Sequence, residues 1–438
     1  MTAMLLLRGG CVLTLGARSP NLTEGDVLID GAMIAEVGRG LRARDAEVID
    51  ASDTIVMPGF VDTHRHAWTS LFRNLGERAG AGEVSAAAFR EHFGPDDVYA
   101  ATLIGLLGAI EAGITTVVDW CDLPLDEASA DAALRAHADA GLRTVFACAA
   151  PRGDASASRA LLTHLVERAG ASTTIALGVV ISSAADLDHA AGSWALAREL
   201  GLRIHAHTVA PGSEAGVVAA MAARDLLGDD VTLVHHTALD AADLDALTTS
   251  GTSVSLAPSS EMAGGAGSSP IQELIDHDVR PGLGVDDERV APGDLFAPVR
   301  ATISLQHATV FDRKLAGKAG LPRLMSTRDV IRFATVDGAR VAGLAGVTGS
   351  LEPGMQADVV TLRTDRPNIF PINDPIGAVV WGMDTSNVDH VLASGRVLVR
   401  GGVLEAHVSR ARDLATAARD RVAAASGLLA DAASGAGA

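Results

Sequence analysis

Short apolar runs separated by turn residues are found at both ends of the chain. In the first 57 residues these runs fall at 4–7, 11–15, 26–29, 33–37, 48–49 and 54–57. After residue 348 they return at 357–362, 378–380, 388–393 and 397–399. Glycine-containing pairs such as Asp30-Gly31 and Ser394-Gly395 lie between the runs and are typical of hairpin turns. We therefore expect antiparallel strands from both ends to form one small composite β-sandwich domain.

Between residues 58 and 348 the pattern changes to strands that alternate with helices. Strand-like apolar runs fall at 59–63, 115–118, 143–147, 175–180, 203–207, 232–235, 253–257 and 282–285. Helical stretches fall between several of them, at 95–112, 128–140, 158–169, 187–200 and 241–248. Alternation of this kind predicts parallel strands, and eight of them suit a closed (β/α)8 TIM barrel in the α/β class.

These patterns divide the chain into four predicted segments. They are the N-terminal portion of the β-sandwich at 1–57, a barrel at 58–348, the C-terminal portion of the β-sandwich at 349–410, and a C-terminal helix with a flexible tail at 411–438. The tail is rich in alanine, glycine and serine, which favours fraying.

Composition excludes several classes of partner. The chain has 54 acidic and 35 basic residues and a formal net charge of −19, so its surface repels nucleic-acid phosphates and anionic lipids. No apolar run is long enough for a bilayer span, and the three cysteines are too far apart in sequence for a disulfide framework or a zinc knuckle. We expect a cytoplasmic protein that binds neither nucleic acid nor membrane.

Candidate metal-binding residues occur at the ends of predicted barrel strands. His64 and His66 end the first strand, and residues two apart on a strand project to the same face. His207 ends the fifth strand, His235 the sixth, and Asp286 the eighth. Strand ends meet at the C-terminal mouth of a barrel, where imidazole and carboxylate groups from separate strands can share one cation.

These residues lie in motifs that resemble the amidohydrolase superfamily, in the branch of triazine hydrolases and of guanine, cytosine and S-adenosylhomocysteine deaminases. The motifs are PGFVDTHRH at 58–66, EAGITTVVD at 111–119 and GSLEPGMQADVV at 349–360. The resemblance covers roughly residues 1–405. It implies a (β/α)8 barrel with a small β-sandwich from both termini, in agreement with the pattern of strands and helices.

The resemblance also implies roles for individual residues. The implied metal ligands are His64, His66, His207 and Asp286, and the implied catalytic residues are His235 and Asp286. His235 would be either a further ligand or the residue that hydrogen-bonds the water on the metal. His205 is expected to lie deeper in the barrel, and His236 to pack on the face opposite His235.

The lysine content bears on the number of metal ions. Binuclear relatives bridge two cations with a carboxylated lysine at the end of the fourth strand, whereas the only lysines here are Lys314 and Lys318. The fourth strand, at 175–180, offers no glutamate or cysteine in its place. We expect one divalent metal ion per chain, Zn²⁺ or Fe²⁺, since three imidazoles and a carboxylate suit both.

The expected reaction is metal-assisted hydrolysis of a C–N bond in an N-heterocycle or cyclic amidine, with release of ammonia or an amine. The cation would activate a water molecule, and Asp286 would accept its proton. Trp68 and Arg73 follow the first strand and are candidate substrate-binding residues, as is Glu261 after the seventh. The substrate would be a small molecule, and the chain, like many relatives, would form a homo-oligomer.

Departures from the family pattern keep other reactions open. Deaminases of this branch usually carry a glutamate three residues after the fifth-strand ligand, where this chain has Ala210. Glu214 or Glu261 could replace it as general acid. The alternatives are a metal-dependent dehydrative cyclase of an amino-amide and a non-catalytic pseudoenzyme, and the mass of the product would distinguish hydrolysis from dehydration.

Overall fold

The computed structural model describes residues 4–75, 87–149, 155–207 and 214–427. Within these ranges the chain forms an eight-stranded parallel barrel and a nine-stranded sheet built from both ends. This confirms the predicted fold class, a TIM barrel with a small composite β-domain. The domain boundaries stay predictions, and most of the predicted flexible tail, residues 428–438, lies outside the described ranges.

The first five strands belong to the composite sheet: β1 (Met4–Val12), β2 (Leu22–Asp30), β3 (Met33–Gly38), β4 (Glu47–Asp50) and β5 (Thr54–Pro58). β1, β2 and β3 pair antiparallel as predicted, but β4 and β5 run parallel to β1. The expectation of a wholly antiparallel unit was therefore wrong. After the β1–β3 meander, residues 39–46 return the chain to its starting end, and it re-enters the sheet in the direction of β1.

The barrel strands follow directly. They are β6 (Phe60–Arg65), β7 (Ile114–Cys121), β8 (Arg143–Ala149), β9 (Thr173–Val180), β10 (Arg203–His207), β11 (Val231–Val234), β12 (Ser253–Leu256) and β13 (Gly282–Leu283). Neighbours in sequence pair in parallel. The Asp286 N–H donates to the His64 carbonyl at 2.8 Å, and the His66 N–H donates to the Asp286 carbonyl at 3.0 Å. These two bonds join the end of the eighth strand to the first.

Helices follow the barrel strands in the order that the sequence predicts. They are α1 (Ala87–Arg90), α2 (Pro95–Glu111), α3 (Glu127–Ala140), α4 (Ala155–Arg168), α5 (Leu187–Glu199), α6 (Val217–Ala222), α7 (Ala241–Ser250), α8 (Pro258–Ala263), α9 (Ile271–Asp276), α10 (Phe296–Leu315), α11 (Thr327–Phe333) and α12 (Val336–Val341). Local chemistry sets their ends. Asp126 caps α3 by accepting the Ser129 N–H, and Gly141, at φ 81°, ends that helix in the left-handed conformation.

The last stretch of the chain returns to the composite sheet. It contributes β14 (Val359–Arg363), β15 (Val388–Ala393), β16 (Arg396–Arg400) and β17 (Val403–Leu404), with the short α13 (Pro375–Gly377) before β15 and α14 (Val408–Ala425) after β17. β14 pairs antiparallel with β5, which joins the two ends of the chain. Of the helices in the described ranges, none has both the length and the apolar character to cross a membrane.

The predicted strand at 378–380 is wrong, because these residues belong to a helical turn, Ala378–Gly382. The turn continues α13, which begins with Pro375 in its first turn and with the Asp374 carboxylate accepting the Ile376 N–H. Both features start helices. A three-residue apolar run cannot by itself distinguish a strand from a buried helical turn.

Gly59 is the only residue between β5 and β6. A Cβ at this position would collide with the side chain of Thr115 on β7, so the close packing requires glycine. The strand that leads to the two candidate ligands is thus a direct continuation of the composite sheet.

Candidate metal centre

The first barrel strand holds its histidines through a buried ion network. His64 and His66 are both buried at the end of β6. Between them, Arg65 pairs with Asp62 (Nε to Oδ2, 2.8 Å) and with Glu288 (Nη1 to Oε1, 2.5 Å). Asp62 Oδ1 also accepts the His64 N–H at 3.3 Å. With Arg65 fixed on one side, the two imidazoles are held at the barrel mouth.

The other candidate ligands follow later strands. His207 is the last residue of β10, His235 follows β11, and Asp286 lies just beyond β13. His235 has φ 60° and Asp286 has φ 65°. Residues other than glycine seldom adopt this left-handed region, although histidine and aspartate do so more readily than most. Such conformations often occur at functional sites, where the surrounding structure holds them.

All five side chains meet at one place. One donor atom from each of four residues, His64, His207, His235 and Asp286, lies within 4.8 Å of the others. His66 lies beside them, with its Nε2 3.3 Å from His207 Nε2 and 3.4 Å from Asp286 Oδ1. Strand ends that are far apart in sequence therefore form one cluster.

The donor atoms of the cluster face one another, but some of them form no hydrogen bond. Asp286 Oδ1 lies 3.2 Å from His64 Nε2 and 3.5 Å from His235 Nε2. Among the described residues, neither of these buried nitrogens has a hydrogen bond of acceptable geometry. Buried polar atoms are costly without a partner. The arrangement fits a divalent cation that accepts electron pairs from imidazole nitrogens and a carboxylate oxygen.

The electrostatics of the protein groups suit such a cation. Burial lowers the pKa of His64 to about 3 and the pKa of His207 well below its usual value. Both rings are thus neutral near pH 7, which is the form that binds metals. Burial disfavours charge on Asp286 too, but the neighbouring His235 holds the pKa of this carboxyl well below its usual range. Asp286 is therefore ionised.

Glu261, on α8, lies behind His235. Its Oε1 is 3.0 Å from His235 Nδ1 and accepts the Ala257 N–H at 2.9 Å, while its Oε2 accepts the Ser269 hydroxyl. The residue is only 2% exposed. Burial disfavours charge on His235, yet Asp286 and Glu261 raise its pKa to about 10. The described contacts of the Glu261 carboxylate are thus with protein groups, and its predicted contact with substrate stays a prediction.

Asp122 is a site residue that sequence reasoning missed. Its Oδ1 accepts the Trp68 indole N–H at 2.7 Å and lies 3.3 Å from His66 Nδ1, and its Oδ2 pairs with Arg90 at 2.8 Å. A carboxylate on the outer nitrogen of a metal-binding imidazole fixes the orientation of the ring. Its position just after β7, like that of the other site residues after their strands, was the available signal.

The two other predicted substrate-binding residues, Trp68 and Arg73, lie in surroundings that differ from each other. Trp68 is 2% exposed and packs edge-to-face on Phe93, with 5.4 Å between the ring centroids. Arg73 pairs with Glu288 and lines a cavity of about 670 Å³ that none of the predicted ligands lines. Neither placement tests a role in binding substrate, which stays a prediction for both.

Trp120, on β7, occupies the side of the centre next to the fourth strand. Its ring lies against His207, with 4.7 Å between centroids, and its indole N–H donates to the His205 carbonyl at 3.3 Å. Gly178 on β9 makes room for it, because a Cβ there would be 3.0 Å from Trp120 Cε2. The fourth strand therefore brings no ligand toward the centre at this level, and an indole fills the space.

The remaining candidates lie around this cluster. His205 is fully buried, and neither of its ring nitrogens has a partner among the described residues. His236 is buried, with Nδ1 3.2 Å from the Val234 carbonyl oxygen. Glu214 is exposed, and Ala210 lies outside the described residues.

Comparison with known proteins identifies the family. Residues 55–398 match the model described as the amidohydrolase family. The chain belongs to this family. The resemblance predicted from the motifs is thus confirmed, and the chain is a hydrolase acting on C–N bonds other than peptide bonds, in a family whose members depend on a metal.

Individual relatives are similar to this chain along nearly its whole length. A 5-methylthioadenosine/S-adenosylhomocysteine deaminase of Syntrophobacter fumaroxidans is 29% identical over 91% of this chain and 93% of its own length. A 5'-deoxyadenosine deaminase of Methanothermobacter thermautotrophicus is 28% identical over 92% and 94%. An atrazine chlorohydrolase of Arthrobacter aurescens, solved with zinc, shares the fold, with a TM-score of 0.79, 22% identity and coverage of 95% and 100%.

Proposed function

We propose that this chain is a mononuclear metal-dependent amidohydrolase that deaminates, or releases an amine from, an N-heterocycle or cyclic amidine. The observation that carries the proposal is the cluster of one donor atom each from His64, His207, His235 and Asp286 within 4.8 Å. The names of the relatives support a deaminase-like reaction on a small molecule.

In this proposal His64, His66, His207 and Asp286 would hold one divalent cation, Zn²⁺ or Fe²⁺, and His235 lies beside them with its Nε2 3.5 Å from Asp286 Oδ1. The bound cation would supply Lewis acidity, which lowers the pKa of water toward neutrality. Burial keeps His64 and His207 neutral and Asp286 is ionised, which are the protonation states that this role requires.

A single cation is supported by the fourth strand. Trp120 fills the space beside His207, and Gly178 presents no side chain there. The only lysines of the chain, Lys314 and Lys318, are at the end of α10 and just after it. A lysine-bridged second ion therefore has no ligand in this region of the barrel.

Proton transfer would fall to Asp286 and His235. Asp286 Oδ1 faces the three imidazoles at 3.2–3.5 Å, while its Oδ2 accepts the Ser260 hydroxyl, so Oδ1 is the oxygen that receives a proton from the attacking water. His235, held through Nδ1 by Glu261, presents Nε2 to the same point and orients that water.

The choice of substrate rests on the relatives, several of which are named as deaminases of adenine nucleosides. At Ala210 the sequence departs from the glutamate that the resemblance implies for deaminases of this branch, so the reaction would draw its general acid from another group. We therefore propose the wider class of aminated N-heterocycles, with 5'-deoxyadenosine as the first compound to assay.

Metal content and product mass test the proposal together. Protein purified without a chelator or a histidine tag should carry close to one zinc or iron per chain, and the products should have an –OH in place of an amino or amine group. Loss of water from an amino-amide would instead favour the cyclase. No tight binding of zinc or iron would contradict the metal-dependent proposal, and two ions per chain would contradict the mononuclear one.

A further inference from the structure

Asp119 is a buried carboxylate to which the proposed mechanism gives no role, although it ends the motif EAGITTVVD at 111–119. It lies near the end of β7, and the residue is only 2% exposed. Burying a carboxylate is costly unless other groups hydrogen-bond to it or balance its charge. The groups that contact Asp119 therefore indicate why the fold keeps a carboxylate there.

One oxygen of Asp119 binds the backbone directly after a proposed metal ligand. Its Oδ1 accepts the Ala67 N–H at 3.1 Å, and Ala67 follows His66 in the chain. Ala67 also begins a short 3₁₀-helical turn, Ala67–Phe72, which the His66 side chain does not cap. The first N–H groups of a helical turn have no partner within it. Asp119 thus caps this turn from the neighbouring strand, at the point where the chain leaves β6.

This hydrogen bond extends the contact between β6 and β7 beyond their regular pairing. The pairing ends where Arg65 lies opposite Asp119. The next N–H, that of His66, donates to the Asp286 carbonyl at 3.0 Å, toward the eighth strand. The N–H after it, that of Ala67, is the one that the Asp119 side chain binds. His66 therefore lies between two anchored N–H groups, one joined to the eighth strand and one to the second.

The other oxygen of Asp119 is held by a histidine outside the metal centre. Oδ2 lies 2.8 Å from Nε2 of His137 on α3, and His137 is fully buried. A carboxylate can only accept, so Nε2 donates. The His137 Nδ1 has no partner among the described residues, and the ring packs edge-to-face on Phe146, with 4.7 Å between centroids. His137 thus fixes the orientation of the carboxylate and directs Oδ1 toward Ala67.

An ordinary ion pair does not account for this carboxylate. The nearby Arg65 guanidinium pairs with Asp62 and Glu288. Both oxygens of Asp119 are instead used by the Ala67 N–H and the His137 ring. The carboxylate therefore links helix α3 to the backbone beside His66.

We propose that Asp119 is a positioning residue for the metal centre and that His137 acts through it. By fixing the Ala67 N–H, the carboxylate holds the His66 imidazole among the proposed ligands, with its Nε2 3.3 Å from His207 Nε2. The inference rests on the proposed function, since the two residues have this role only if His66 binds a metal.

Binding of Co²⁺ to the full chain, freed of metal beforehand, tests the inference without an activity assay. Asp119→Ala should weaken the affinity, measured by chelator competition, by about 10-fold or more. It should also change the visible absorption of the cobalt-loaded protein, which reports how the ligands are arranged. Asp119→Asn should recover most of the affinity, because its amide oxygen can still accept the Ala67 N–H and its amide N–H can donate to the other tautomer of His137.

A matched control is needed because Asp119→Ala also removes a buried hydrogen bond. Asp26, in the composite sheet, is likewise buried and accepts the N–H groups of Gly9 at 2.9 Å and Leu41 at 2.8 Å. Asp26→Ala and Asp119→Ala should both lower the thermal midpoint of the metal-free protein. Only Asp119→Ala should change the cobalt affinity and spectrum. Equal weakening of cobalt binding in the two variants would overturn the inference.

A double-variant cycle tests whether His137 acts through Asp119. His137→Leu should weaken cobalt binding by less than Asp119→Ala does, because Oδ1 can still reach Ala67. In the Asp119→Ala background it should have no further effect, whereas additive effects would overturn the role given to His137. A wild type that binds no cobalt would overturn the proposed function and this inference together. Wild-type binding that Asp119→Ala leaves unchanged would overturn the inference alone.

Discussion

The two sides of the barrel mouth differ in what their strands supply. On one side, the ends of β6, β10, β11 and β13 bring imidazoles and a carboxylate to one point. On the other, β7, β8 and β9 bring Trp120, Ala147 and Gly178 to the barrel interior, where they pack but carry no charge, while Asp122 just after β7 holds His66 from behind. In the proposed mechanism one half of the mouth thus binds the metal and reacts, while the other half supports it.

The largest effect is expected when the carboxylate of Asp286 is removed from the reactive side. Asp286→Asn should lower kcat by about 10²–10⁴-fold, because the proton acceptor and one ligand are both lost. Steady-state assays and elemental analysis measure the two effects. Asp287→Asn is the matched control, since Asp287 pairs with Arg289 at 2.5 Å. An Asp286→Asn enzyme as active as the control would contradict the proposed mechanism.

The second-largest effect is expected at Glu261, because this residue acts on the centre through His235. Glu261→Ala should weaken metal affinity or activity by about 10–100-fold, and Glu261→Gln should recover some of the loss because its amide oxygen can still accept from His235 Nδ1. Chelator competition and a separate determination of kcat and KM would show which quantity changes. The exposed Glu214→Gln is the control. If Glu261→Ala keeps the same metal affinity and activity as Glu214→Gln, Glu261 has no positioning role.

On the supporting side, a substitution should affect stability more than chemistry. At Gly178 an added Cβ would lie 3.0 Å from Trp120 and 3.2 Å from the backbone nitrogen of Ala149. Gly178→Ala should therefore lower the free energy of unfolding by about 1–3 kcal/mol, measured by urea unfolding. Gly192→Ala, on α5 with open space around it, is the control. Equal stability of the two variants would show that the packing around Trp120 is loose.

The smallest effect is expected at the lysines. The Lys314→Arg, Lys318→Arg double variant should keep one metal ion per chain and its full activity, since neither residue is near the barrel mouth. Elemental analysis of the variant beside the wild type checks this. A halved metal content would reveal a bridging lysine and would remove the difference between the two sides.

The sequence was sufficient to predict that the proposed ligands lie together, because each of them ends a strand of the barrel. Apolar runs located the strands, and the fold brings their C-terminal ends together. His207 and Asp286 could thus be assigned to one site without a known contact between them. The left-handed conformations of His235 and Asp286 could not be foreseen, since they depend on how each strand end packs against its neighbours.

The supporting side could not be predicted from local pattern. Trp120 follows an apolar run and looks like an ordinary core residue, and its contact with His207 depends on the absence of a side chain at Gly178 on another strand. Glu261 was predicted as a substrate-binding residue, and its burial behind His235 could not be foreseen because it depends on contacts with His235 and Ser269. The parallel pairing of β4 with β1 also depends on a distant partner. Contacts with residues that are distant in sequence determined each of these features.

The direct link from β5 to β6 through Gly59 has a consequence for biosynthesis. β5 is paired with β14, whose residues leave the ribosome about 300 residues after β5. β5 therefore gains this partner, and the end of β6 the Asp286 segment that closes the barrel, only when most of the chain has been made, and contacts so far apart in sequence form late in folding. A metal held by the proposed ligands would accordingly be loaded into the finished protein rather than into the nascent chain.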